Sequence, residues 1–230
     1  MCGRNSNNLT YDQIYALYRL LLPLKKDPPQ KEPDLKPRYN VAPTQMIPAL
    51  RLDTDGKPEL ALLKWGLIPS WAKDPKIGYK TINARAETVA TAPAFRAAFK
   101  RRRCLIPSTG YYEWKTLEDG SKQPYLFTMN DGQPFSFAGL WERWEKGPEP
   151  IETCTIITGE PNALAAEIHN RMPVIIHPED FDAWLHAGDT AIAQALLQPF
   201  PSQLMRYFPV SKRVNSPKND DPSLIEPLAA

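Results

Sequence analysis

Cys2, in Met1-Cys2-Gly3-Arg4, has the most chemistry to offer in this 230-residue chain. Removal of Met1 ahead of so small a side chain would expose an α-amine and a thiol two carbons apart, a pair that closes five-membered rings on a carbonyl carbon. An α-amine of ordinary pKa, about 7.7–8.0, is partly neutral at neutral pH and adds to an aldehyde to form an imine. A thiol of ordinary pKa, about 8.5, can then attack the imine carbon and close a thiazolidine. Gly3 would let the backbone come close. The plainer fate of a second-position cysteine is a small residue at a frayed terminus, so its company along the chain matters.

Three segments supply candidate partners. Glu113, in Gly110-Tyr111-Tyr112-Glu113-Trp114, alternates with Tyr112 and Trp114. A carboxylate among aromatics can have a raised pKa and carry a proton, although a cross-strand pair with Lys or Arg is the commoner use. His169 closes a helical segment, Asn162 to Ile168, where a helix C-terminus favours imidazolium and an acid role, or simple capping of carbonyls. Asn83 opens Asn83-Ala84-Arg85-Ala86-Glu87-Thr88, a place to present an amide into a cleft or to cap a helix. Arg85 can grip a phosphate in fork geometry. Trp65 and Trp71 flank Gly66-Leu67-Ile68-Pro69-Ser70, where they either pack in the core or stack on bases.

These residues need a scaffold, and the composition limits what it can be. With 42% hydrophobic residues, the chain can bury one good core, and a single domain over 1–230 is expected. A net charge of +2 argues against wholesale polyanion binding. The cluster Arg96, Lys100, Arg101, Arg102 and Arg103 reads as a solvated helix end before a buried strand. Three widely spaced cysteines, Cys2, Cys104 and Cys154, fit neither a disulfide framework nor a zinc site, which implies a reducing compartment. No apolar run nears the roughly 18 residues of a membrane span, and no signal sequence opens the chain. A cytoplasmic, nucleoid-associated location follows as an expectation.

Twenty-five prolines favour short strands joined by shaped turns. A first helix is expected from Thr10 to Leu22 with Thr10 as cap. A surface loop at 23–37 follows it, and a short tail lies at 228–230. Strands are expected near Tyr39–Val41, Ile47–Leu52, Glu59–Trp65, Cys104–Pro107, Tyr111–Lys115, Tyr125–Met129, Phe135–Glu142, Thr153–Thr158 and Val174–Ile176. Turns at Asp55-Gly56, Asp119-Gly120 and Asp131-Gly132 join several of them, the last read as a hairpin. Helices are expected near Arg85–Thr91, Ala94–Lys100, Asn162–Ile168, Pro178–Leu185 and Thr190–Leu197. The fold class is α+β: a mainly antiparallel barrel or sandwich-like core with helices around it.

In this order, the segments Met1-Cys2-Gly3-Arg4, Arg38-Tyr39-Asn40-Val41-Ala42-Pro43, Trp65 to Trp71, Asn83 to Thr88, Gly110 to Trp114, Ile168-His169-Asn170-Arg171-Met172-Pro173-Val174 and Leu224-Ile225-Glu226-Pro227 resemble the SOS response-associated peptidase (SRAP) family over nearly the whole chain. The resemblance implies the family's fold and a protein that processes abasic sites. Cys2, freed of Met1, would cross-link to the aldehyde of an abasic site in single-stranded DNA as a thiazolidine, with weak strand-cleaving lyase activity beside it. It implies catalytic roles for Cys2, Asn83, Glu113 and His169. It also implies DNA contacts by Arg4, Arg85 and Arg171 and a strand-separating wall around Trp65 and Trp71. Asn5 and Asn170 depart from the family's usual residues, which bears on local packing and on the orientation of Arg171. The alternatives are an N-terminal-nucleophile peptidase or amidase that removes its own Met1, and a non-covalent reader of damaged single strands. No cofactor, metal, membrane or obligate protein partner is expected, and the chain is expected to be a monomer resembling compact bacterial members.

Overall fold

The computed structural model describes residues 2–19, 21 and 35–228; Met1, most of the expected 23–37 loop and the end of the tail lie outside them. In chain order the elements are β1 (Asn5–Asn7), α1 (Tyr11–Leu17), β2 (Arg38–Val41), β3 (Met46–Leu52), β4 (Pro58–Trp65), β5 (Asn83–Arg85), α2 (Arg96–Arg101), β6 (Arg103–Ser108), β7 (Gly110–Thr116), β8 (Lys122–Met129), β9 (Phe135–Trp144), β10 (Ile151–Gly159), α3 (Ala163–Ala166), β11 (Met172–Pro173), β12 (Ile175–Ile176), α4 (Phe181–His186), α5 (Thr190–Ala195) and β13 (Met205–Pro209). The fold is α+β with a mainly antiparallel core, as the strand pattern implies.

Strands β10, β4, β3, β6 and β9 pair in that order, and β9 pairs back onto β10, so they close into a five-stranded ring. Pairing is antiparallel except between β4 and β10, and β5 adds to β10 in parallel. A second, antiparallel sheet runs β13-β8-β7-β1-β2. Because strand side chains alternate between faces, neighbours fall into separate cores. Leu50, Leu105 and Leu140 pack with Phe99 of α2 and Trp184 of α4. Ala49, Cys104, Ile106 and Phe137 pack instead with Tyr111 and Phe127 of the second sheet, whose rings stack at 4.8 Å.

Several elements depart from expectation for identifiable reasons. The cap on α1 forms as read, with Thr10 accepting from Gln13 N and Gln13 returning a bond to Thr10 N. That helix ends at Leu17. No helix forms over 85–91: residues 83–85 pair with the edge of β10, and the chain then turns, so tertiary pairing overrides helical propensity. Asp131-Gly132 makes a turn, with Gly132 at φ +72°, but not a hairpin, because β8 belongs to one sheet and β9 to the other. Arg103 is not a solvated helix end. It is buried, and its guanidinium donates to the carbonyls of Phe99, Trp184 and Ala187 at 2.5–2.6 Å, which ties α2 and α4 to β6.

The segment between β4 and β5 is pinned onto backbone carbonyls. Trp65 Nε1 donates to Ile82 O at 2.8 Å, and Gly66 N donates to Cys154 O at 2.8 Å. Gly66 sits at φ +127°, and a Cβ there would lie 2.6 Å from Gly78 O. Neither the φ nor the carbonyl can yield cheaply. Gly66→Ala is therefore expected to cost about 2–4 kcal/mol, the sum of a strained backbone and an overpacked contact. Chemical denaturation should show a lower midpoint with an unchanged slope, and wild-type stability would overturn this account of the crossing.

Candidate active site

The amino-terminal strand lies inside a sheet. Asn5 pairs with Tyr111 on one side and Val41 on the other, Tyr112 N donates to Arg4 O at 3.0 Å, and Thr109 N donates to Ser6 O at 3.0 Å. This register leads Cys2 into a fully buried position alongside β7. Burial pushes its thiol far above the ordinary range, and the negative charge of Glu113 adds to the shift. The exposed thiol of ordinary acidity expected from the sequence is thus corrected: removal from water keeps this one protonated. The Tyr111 hydroxyl is buried, and the field of Glu113 reaches it as it reaches Cys2, which brings the three side chains into one neighbourhood.

Glu113 is only 3% exposed. Burial raises its pKa to about 7, against a smaller opposing pull from the chain's amino-terminal charge. Its neighbour across the ladder is Tyr125, not a Lys or Arg. Together with Trp114, Lys122, His169 and Asn215 it lines an open cleft of about 440 Å³. His169 follows α3, a single turn of four residues, and its N–H bonds to Ala165 O at 2.9 Å. Burial lowers its pKa, so the imidazolium expected at a helix end gives way to neutral imidazole; desolvation outweighs the dipole of so short a helix. Arg171 N donates to His169 Nδ1 at 3.0 Å, and Arg171 O lies 3.2 Å from the same nitrogen. The neutral ring with its proton on Nε2 and the cation with Nδ1–H donating are therefore both served by one backbone unit.

Asn83 opens a strand rather than capping a helix. Its Nδ2 donates to Ile156 O at 3.4 Å, and its Oδ1 is buried with no hydrogen-bond partner. It stands outside the cleft lining, while Ile82 beside it packs against the cluster that holds Cys2.

The candidate DNA contacts separate clearly. Trp65 is wholly buried and offers no face to a base, which corrects the reading that placed it on a wall; its indole is core. Trp71 is 53% exposed, as is the overlooked Tyr79 at 67% on the same connection. Arg85 is exposed on β5. Arg4 is committed to Asn40 Oδ1 at 2.7 Å and to Val214 O at 2.5 Å, with its guanidinium 5.9 Å from the Trp114 ring centre. Arg171 forms a fork on Glu87 at 2.6 and 3.0 Å. Neither presents the bare fork that a phosphate contact would use. Lys122 and Asn215 reach the cleft only through pairing of β7 with β8 and a bond from Trp114 Nε1 to Asn215 Oδ1 at 2.8 Å. No local motif announces either. Among the described residues no cluster of His, Cys, Asp and Glu is placed to hold a metal ion, and no helix is long and apolar enough to cross a membrane.

Residues 1–217 match the family model described as SOS response associated peptidase (SRAP). The abasic site processing protein YoqW of Bacillus subtilis (strain 168) is 45% identical over 231 residues, spanning 98% of this chain and 99% of its own. The abasic site processing protein HMCES of Gallus gallus is 30% identical over 263 residues, spanning 99% and 78%. An X-ray crystal structure of a protein from Bacteroides thetaiotaomicron superposes with a TM-score of 0.84 at 30% identity, covering 99% of this chain and all of that one.

The Glu113 shift has a thermodynamic signature. Its folded pKa of about 7 lies above the ordinary 4.5, so between those values the native state binds more protons than the unfolded one, and stability falls as pH rises. The penalty is absent at acidic pH and complete at alkaline pH. Glu113→Gln should raise stability near pH 8 by up to roughly 3 kcal/mol and change it little near pH 4.5. Thermal melts at the two pH values test this, and a loss of stability at the higher pH would overturn it.

Proposed function

The chain belongs to the SOS response associated peptidase family, and from that premise we propose that it processes abasic sites in single-stranded DNA by covalent capture through Cys2. The observation that carries the reading is the burial of Cys2 within the field of Glu113, a buried carboxylate of near-neutral pKa that opens onto a cleft shared with His169. Once Met1 is removed, the Cys2 amine adds to C1′ of the ring-opened sugar, and Glu113 takes the proton that the amine loses. The carbinolamine loses water to give the imine: Glu113 returns the proton it took to the departing oxygen, to which His169 Nε2–H donates a hydrogen bond, and is a carboxylate again. The thiol then adds across the C=N bond: sulfur bonds to carbon and its proton ends on nitrogen, which closes the thiazolidine. Because burial keeps that thiol protonated, a neighbouring base is needed to release it, and Glu113 is so placed. Asn83, with an unoccupied buried acceptor, orients the amine or a sugar hydroxyl. Abstraction of a C2′ proton at the imine stage would cleave the strand by β-elimination as a slow side reaction.

Arg85 and Trp71 are the exposed contacts proposed for the DNA strand. Arg4 supports the cleft from behind, through Trp114. A second reading makes the same base the agent of a peptidase step, cleavage of the Met1–Cys2 bond; the position of Glu113 beside residue 2 favours self-processing over a separate peptide substrate.

Two assays test this reading. Protein lacking Met1, mixed with single-stranded DNA carrying an abasic site, should form a heat-stable adduct without borohydride, and Cys2→Ser should not; an equal yield from Cys2→Ser would exclude the thiazolidine. From pH 6 to pH 8 the adduct rate should rise roughly tenfold from ionisation of Glu113 and by a further factor of roughly 40 from deprotonation of the amine. Glu113→Gln should be slower by about 100-fold and keep only the slope of the amine. An unchanged rate in that variant would remove Glu113 from the mechanism.

A further inference from the structure

We propose that Glu87 is a positioning residue for this reaction, acting through Arg171 to hold His169 and the Asn83 strand in register. The proposal rests on the reading above and concerns a residue outside the cleft. Glu87 follows β5, which begins with Asn83, by two positions, and Arg171 follows His169 by two. The Arg171 fork binds both Glu87 oxygens, at 2.6 and 3.0 Å, and Nη2 also donates to Thr158 O at 2.5 Å. That same carbonyl accepts Ala86 N at 2.9 Å, and Thr158 is the register partner of Arg85. One guanidinium therefore fastens the Asn83 segment and the His169 segment to a single carbonyl of β10. A bidentate fork with a third bond in another direction fixes a side chain far better than a lone ion pair.

The consequence reaches His169 through backbone. Its Nδ1 meets the N–H and C=O of Arg171 itself, so any drift of residue 171 changes which ring nitrogen holds the proton. The Arg171 side chain is 19% exposed and that of Glu87 is 45% exposed. Hydrogen bonds from Arg171 hold Glu87 below the ordinary carboxylate range, and the clamp stays charged at neutral pH.

The variants are Glu87→Gln, which keeps shape and removes charge, and Glu87→Asp, which keeps charge on a shorter stem. Each is made in the full chain with Met1 removed. Three quantities are read: the single-turnover adduct rate at saturating abasic single-stranded DNA, the Kd for the same strand carrying a tetrahydrofuran in place of the abasic sugar, and the His169 tautomer by ¹⁵N NMR. For Glu87→Gln the rate should fall about tenfold with Kd changed less than about twofold, while His169 moves from the Nε2–H tautomer to a mixture. Glu87→Asp should recover part of both. Tighter DNA binding at an unchanged rate would overturn the proposal in favour of a carboxylate that merely competes with phosphate for Arg171. A His169 tautomer unmoved by Glu87→Gln would overturn it whether or not an adduct forms. Absence of adduct in the wild type would count against covalent capture alone.

Discussion

Insertion of β1 between β7 and β2 is the constraint on which the site depends. Asn5 pairs on both sides, Ser6 with Gly110 of β7 and Asn7 with Arg38 of β2, and a chain end that would otherwise fray is held between two strands. Cys2 is thereby fixed next to Glu113 without a loop or a helix of its own to carry it. The ring of five strands has a complementary part: β10 supports β5 and β11, and so positions both Asn83 and the stretch leading from His169. Two sheets meet at the candidate site, one carrying Glu113 and the strand that follows Cys2, the other supporting Asn83 and the stretch after His169.

Burial then sets the protonation states. Removal from water drives every titratable group toward its neutral form: the Cys2 thiol up, the Glu113 carboxyl up, the His169 imidazole down. Glu113, with a pKa near neutrality, can take up and release a proton with little driving force either way, which suits the proton transfers proposed for the site, whereas the Cys2 thiol stays protonated until a base acts on it. The scaffold's own charges are dealt with differently. Arg4, Arg103 and Arg171 each spend donors on carbonyls, amides or carboxylates, so these three basic side chains act as clamps.

Much of this was legible in the sequence, for separable reasons. Short runs between turn residues marked nine strand regions, because each strand buries one or both faces and local pattern reports burial. The Thr10 cap was legible because its partner, Gln13, is three residues away. What escaped was non-local. Residues 5–7, 83–85 and 205–209 are strands only because an edge elsewhere accepts them, and nothing in Asn-Ser-Asn or Asn-Ala-Arg favours extension. The protonation of His169 was misread because helix length and burial, not the presence of a helix end, decide it. Trp65 was placed on a surface because a lone indole looks the same in a motif whether it faces solvent or core. Lys122 and Glu87 left no trace, since each acquires its place from a cross-strand register or a contact 84 positions away.

The central seat of β1 also orders events in time. Its hydrogen-bonding partner β7 lies roughly 100 residues downstream, which at synthesis rates of about 5–20 residues per second means an interval of roughly 5–20 seconds. For most of it, the amino terminus has only β2 to pair with, and residue 2 is not yet enclosed, so an enzyme that trims Met1 has access. When Gly110 to Thr116 emerge and pair, that opportunity closes and residue 2 passes out of solvent. On the proposed function, maturation of Cys2 is in this sense a race between processing and folding, with the order of strands along the chain deciding how long the race lasts.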